Sequence, residues 1–182
     1  MQFPVARADV IRAIRQRWLL KFWTDHLIGH RIPRWSSVDT ESLSAMSECL
    51  SHLDVEGAGS AARFMIRFHG AMIGEVYGSA DCRGRYLDEI VPPQRLEEAL
   101  AAYRQAAESG LPVYTIHDVT DATGRVVHSE RLILPFSRDG ESVDRLLGSF
   151  EFVCDDGAFD NRLLLRNAAP ALRLSAQIEA RA

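Results

Sequence analysis

Val113-Tyr114-Thr115-Ile116-His117-Asp118-Val119-Thr120, then Val126-Val127-His128-Ser129-Glu130-Arg131-Leu132-Ile133-Leu134-Pro135-Phe136, then Arg145-Leu146-Leu147-Gly148-Ser149-Phe150-Glu151-Phe152-Val153 are three runs rich in β-branched and aromatic residues. Asp121-Ala122-Thr123-Gly124 separates the first two and Ser137-Arg138-Asp139-Gly140 the second pair, both composed of residues that favour tight turns. Connections this short join strands side by side in opposite directions, so the three runs predict an antiparallel meander. Immediately before them, Pro92 and Pro93 stand at the first turn of a predicted helix that Gly110 ends. Its Leu96, Leu100, Tyr103 and Ala107 form one apolar face. Farther upstream, residues 70 to 78 and 84 to 90 read as short helical turns. Before those, Leu50 to Val55, the turn Gly57-Ala58-Gly59-Ser60 and the alternation of Phe64, Ile66 and Phe68 with Met65 and Arg67 predict a hairpin. The class is therefore α+β: a five-stranded antiparallel sheet with short helices and one longer helix on one face.

Both ends extend this unit. Asp9 is a plausible cap for a helix running to about Ile28 and ended by Gly29, with Ile11, Ile14, Trp18 and Phe22 in one apolar stripe and Leu19, Trp23 and Leu27 in a second. Two stripes exceed one packing surface, so Trp18, Phe22 and Trp23 are expected to meet a second copy of the chain or another partner. Pro33 interrupts the chain, and Asp39 or Thr40 opens a short second helix through Cys49. Asp155-Asp156-Gly157 closes the sheet region, followed by a weakly helical tail interrupted by Pro170. The expected division is a helical extension over 1–48, the sheet domain over 49–154 and a tail over 155–182.

Composition bounds the function classes. The chain has 182 residues, 47% hydrophobic and 25% charged, which fits a globular domain with a real core. Its apolar runs, such as Trp18-Leu19-Leu20 and Phe64-Met65-Ile66, fall far short of the ~18 residues of a membrane span. Arginines interrupt the N-terminus where a signal peptide needs an apolar stretch, so a cytoplasmic location is expected. Three scattered cysteines, Cys49, Cys82 and Cys154, fit free thiols. Residues 1 to 35 carry seven basic and two acidic side chains, +5, which leaves −9 for the remainder at a net charge of −4. A basic front can contact nucleic acid, but a helix complementing the acidic body or its twin explains it better, and nucleic acid is the lesser expectation.

The order of elements resembles a PAS domain. Arg67-Phe68-His69-Gly70-Ala71, Gly78 with Asp81 and Gly84-Arg85-Tyr86-Leu87, and Glu130 through Gly140 are similar to the signature blocks of a bacterial family of small stand-alone PAS-like proteins. Trp23, Ile32-Pro33-Arg34 with Asp39, and Leu50-Ser51-His52-Leu53-Asp54-Val55 match its front, while Trp35 and Thr40 replace a polar residue and a proline. The resemblance implies a sensory or interaction module of bacterial signal transduction. In such modules a sheet cups a cavity under short helices, binds a small ligand or a protein partner, and transmits through flanking helices without catalysis.

Cofactor signals are weighed against that expectation. Haem-binding PAS domains usually take a histidine from the long helix, and residues 92 to 110 contain none. A photoactive flavin needs its cysteine after the helix-cluster glycine, whereas Cys82 precedes Gly84 and the only asparagines, Asn161 and Asn167, lie in the tail. Gly57-Ala58-Gly59-Ser60-Ala61-Ala62 is followed by a strand and so is no dinucleotide fingerprint. His26 and His30 sit at a helix end with no third ligand, and Asp155-Asp156 reads as a turn, so no metal is expected. An enzyme would pair Glu75 or Asp118 with Tyr77 or His117 in an apolar pocket; a solvated sheet edge explains those residues as well.

The ligand candidates are polar groups set among apolar ones. Arg67 and Arg131 can project into a cavity and grip an anion, or turn outward to an acid such as Glu130 or Glu151. Tyr77, Tyr86 and Tyr103 can line it with hydroxyls. His117 and His69 lie on strands beside it, and His128 on the next strand, although a purely structural histidine is the commoner case. Gly70, Gly78 and Gly84 read as turn positions.

Overall fold

The computed structural model describes residues 1–27, 29, 32–79, 81–155, 159, 163–165 and 169–179. In chain order it forms β1 (Val5–Ala6), α1 (Ile14–Asp25), a 3-10 helix (Thr40–Cys49), β2 (Leu50–Glu56) and β3 (Arg63–His69). Then come α2 (Ala71–Tyr77), α3 (Leu87–Ile90), α4 (Pro93–Ser109), β4 (Val113–Thr120), β5 (Val126–Phe136), β6 (Arg145–Cys154) and β7 (Ala171–Ile178). The sheet order is β1-β7-β4-β5-β6-β2-β3. The α+β class and the meander stand, with β4 and β5 paired from Val113↔Ile133 to Thr120↔Val126 and β5 and β6 from Val127↔Cys154 to Phe136↔Arg145. Asp121 closes the first turn by accepting hydrogen bonds from the backbone of Thr123 and Arg125.

The sheet has seven strands rather than five. The segment expected to be weakly helical is β7, antiparallel to β4, and β1 adds to its outer edge in parallel. Leu172, Leu174, Ala176 and Ile178 alternate with Arg173, Ser175 and Gln177, which is a strand's period. Pairing with β4 satisfies the backbone that an isolated tail would leave to water.

Alternation along β4 and β5 divides the core in two. Tyr114, Ile116, Leu132, Leu134 and Phe136 face α1, where Ile11, Leu19, Leu20 and Trp23 cover them. On the opposite face Val113 and Ile133 meet Leu100, Tyr103 and Ala106 of α4. Both faces are thus covered, and the N-terminal helix that looked like an extension seals one of them. It is shorter than its apolar stripe suggests: Asp9 lies in a 3-10 turn, Ala13 precedes the first helical residue, and His26 follows the last. Ile28 and His30 lie outside the described residues. Asp39 does cap the second helix, accepting from the Glu41 backbone N–H.

Gly78 ends α2 in the left-handed region at φ 58°, and Gly84 has φ 79°, so both serve as turns. Gly70 differs, since its φ is −65°. What it supplies is space, because a Cβ there would lie 2.3 Å from the Glu48 carbonyl oxygen and 2.4 Å from that of Ser47. Gly70→Ala is therefore expected to cost about 1–3 kcal/mol of stability by forcing backbone apart, read as a fall in the urea midpoint. An unchanged midpoint would contradict this close approach. Among the described residues no helix is long and apolar enough to cross a membrane.

Candidate functional site

Between the sheet and helices α2 to α4 lies a cavity of about 140 Å3. Leu53, Ile66, Ile73, Leu87, Val119 and Phe150 give it an apolar wall. Pro170, just before β7, completes it, so the C-terminal segment contributes to the site. Polar groups enter at two places. Arg131, His117 and Ser129 project from β5 and β4 toward Arg95, Glu98 and Tyr103 of α4, while Ser51 and His69 come from the paired strands β2 and β3. Gly148 stands opposite Ser51 on β6, and a Cβ at that glycine would lie 2.7 Å from the Ser51 hydroxyl oxygen.

Several of these groups lack the bonds that buried polar atoms ordinarily make. His117 is 7% exposed. Its Nε2 lies 3.0 Å from Glu98 Oε1 but off the line a hydrogen bond requires, and it has no partner. Burial, reinforced by the Arg131 and Arg95 cations, lowers its pKa to about 3, so the ring is neutral. Burial likewise raises Glu98 against the pull of those arginines, and lowers His69. The Arg131 guanidinium lies 5.0 Å from the centre of the Tyr103 ring, acts on the Tyr103 hydroxyl, and makes a long contact, 3.4 Å, to the Ala99 carbonyl. Its Nε is buried without a partner, as are Ser51 Oγ and His69 Nε2. Burial pushes the Tyr103 hydroxyl up.

The tertiary structure thus gathers Tyr77, Tyr103, His117 and Arg131 at one cavity. Arg67 does not join them; it turns outward and binds Asp54 Oδ2 at 2.6 Å, an acid also held by Arg145. Tyr86 is outside too, donating to Glu56 Oε2 at 2.7 Å beneath the Arg63 guanidinium. Trp23, expected at a contact surface, is 1% exposed and donates Nε1–H to the Pro135 carbonyl at 2.6 Å. Ile14 and Trp18 stay exposed on α1, while Phe22 is half-buried against the core and stacks with Trp18 at 5.4 Å.

Sequence reasoning missed Arg95, Glu98 and Ser51. The first two share a helical stripe with Ala99 and Tyr103 at spacings of i, i+3, i+4 and i+8, which the apolar face of α4 obscured. Asp118 does not supply a catalytic acid to this cavity. It binds His128 Nδ1 and Arg173 Nε, each at 2.7 Å, and these partners outweigh burial and hold its carboxyl below the usual range. Glu75 is exposed. Cys82 is buried in the helix-side core and does not line the cavity. Among the described residues no cluster of histidine, cysteine and carboxylate side chains is placed to hold a metal.

Solved structures similar to this chain include three of low identity. A light-oxygen-voltage domain studied with a flavin analogue is 18% identical, over 64% of this chain and 84% of that one, with a TM-score of 0.45. VqmA bound to DPO is 17% identical over 65% of this chain and 59% of that one, TM-score 0.45. The Vibrio cholerae VqmA-ligand-DNA complex is 15% identical over 65% and 53%, TM-score 0.46. No curated protein matches in sequence. The family model described as PAS domain matches residues 12–151, from the turn before α1 to the middle of β6, and so takes in every element that builds the cavity except the segment leading into β7. On that match the chain belongs to the PAS domain family.

Proposed function

We propose that this PAS domain is a sensory module of bacterial signal transduction that holds a small molecule in the cavity between the sheet and α2 to α4 and passes its occupancy to α1. The observation that carries the reading is the wall itself, where Ser51, His69, His117 and Arg131 each present a buried polar atom without a partner. Leaving such an atom unsatisfied costs about 1–3 kcal/mol, and a polar ligand removes that cost. The output is a binding event rather than a chemical step.

A route to α1 runs through β5. Arg131 faces the cavity, while its neighbour Glu130 faces α1 and accepts from the Tyr114 hydroxyl at 2.8 Å. Gln16 of α1 donates to the Glu130 and Ser149 carbonyls at 3.2 and 3.1 Å, and Arg15 grips Glu151 with two bonds of 2.9 Å. A shift of β5 under a bound ligand reaches the Gln16 anchor at Glu130 and, through the pairing of Glu130 with Glu151 on β6, the Arg15 anchor as well. Ile14 and Trp18, exposed on that helix with Trp18 stacked on the half-buried Phe22, form the surface through which we infer pairing with a second copy, and a protein partner in the cytoplasm would read the change there.

Native mass spectrometry of freshly purified protein, compared with its denatured mass, tests this directly. A discrete additional mass on a dimer is the expected result. Protein without added mass, from which no small molecule raises the melting temperature, would overturn the sensory reading, and a monomer would overturn the pairing.

A further inference from the structure

Building on the reading of the cavity as a ligand site, we infer that its ligand is a small monocarboxylate with an apolar body, the carboxylate seated on Arg131 and the body against Phe150 and Ile73. The charges of the wall lead there. Among the described residues two guanidinium groups, Arg131 and Arg95, face the space together with a single carboxylate, Glu98, and burial keeps the imidazoles of His69 and His117 neutral. One positive charge is left over against a largely apolar lining. A monoanion balances it; a phosphate, with nearly two negative charges, does not.

Among the described residues Arg131, like Arg95 in the same wall, has no carboxylate ion pair. Arg15, Arg63, Arg67, Arg145 and Arg173 each have one. A guanidinium keeps its charge at any ordinary pH, and one half-buried without an anion, as Arg131 is, leaves that charge uncompensated. Its planar fork matches a carboxylate with two parallel hydrogen bonds, and its buried Nε is the donor that has no acceptor. The size of the cavity sets the body: about 150 Å3 accommodates a benzene ring.

Isothermal titration of the unaltered protein with benzoate, phenylacetate and hexanoate, each against its amide, tests the inference. At least one acid is expected to bind about ten- to a hundredfold more tightly than its amide, the value of a charged hydrogen bond. Arg131→Gln should abolish that preference and Arg131→Lys retain part of it, both checked for folding by circular dichroism; if Arg131→Gln does not fold, the acid and amide comparison decides alone. Glu98→Gln, which removes the competing negative charge, should tighten acid binding. Amides that bind as well as the acids would overturn the carboxylate assignment and leave the cavity reading standing. No binding of either series would overturn the assignment, and with a bare native mass it would remove the ligand site altogether.

Discussion

Trp23→Ala is expected to lower the unfolding free energy by about 3–5 kcal/mol, and Trp18→Ala, five residues earlier on the same helix, by less than about 0.5 kcal/mol. Trp23 is among the largest fully buried side chains and packs with Leu19 and Leu20 onto Leu134 and Phe136. Truncation leaves a cavity there and strips the Pro135 carbonyl of the indole N–H that serves it at 2.6 Å. Trp18 is 42% exposed and stacks on the half-buried Phe22. In a chain of this length each kcal/mol moves the melting temperature by about 2–4 °C, so the first substitution should cost roughly 10 °C and the second almost nothing. Sedimentation velocity should give the opposite ranking, with Trp18→Ala weakening self-association. Equal losses of stability would mean that α1 does not present these two faces.

Acid should destabilise the fold well above the range in which carboxylates titrate. His117 has its pKa lowered to about 3 by burial and by Arg131 and Arg95, and His52 to about 4 by burial and by Arg145. Unfolded, both take up a proton near 6.5. Between that value and about 4 the unfolded chain binds more protons than the folded one, so stability falls as pH falls. His69, lowered by burial, acts in the same direction. His128 opposes them: its bonds to Asp155 and Asp118 raise its pKa, and the stability it contributes is full below 6.5 and is lost as pH rises through its folded value. The net expectation is a loss on the order of 2–4 kcal/mol from pH 7 to pH 4.5, followed by urea titration, with His117→Asn removing about half of it. A flat profile would mean that His117 is solvated and the cavity open at that end.

The element order was legible because its signals act over a few residues. Asp121 to Gly124 and Ser137 to Gly140 turn the chain where they stand, the two prolines open α4, and Gly78 stops α2 in a conformation that glycine adopts without strain. β7 escaped notice although Leu172 to Ile178 alternates cleanly, since a strand holds only when a partner pairs with it, and β4 is distant in the chain. The same distance hid the site. Arg67 and Arg131 each sit among apolar neighbours on a strand, yet one meets Asp54 in solvent and the other a cavity wall.

What the chain determines by itself is where the tight turns fall, the order of the elements from β2 to β6 and which residues share a face, because propensity, periodicity and turn chemistry are local. Period two puts Arg131 opposite Glu130 and Leu132 whatever surrounds them. Only the tertiary structure decided that Arg131's side is roofed by α4 and Glu130's by α1, that Trp23 rather than Trp18 turns inward, and that Pro170 helps to close the cavity. Those choices depend on which distant segments pack together to bury the most apolar surface, and no window of neighbouring residues carries that information.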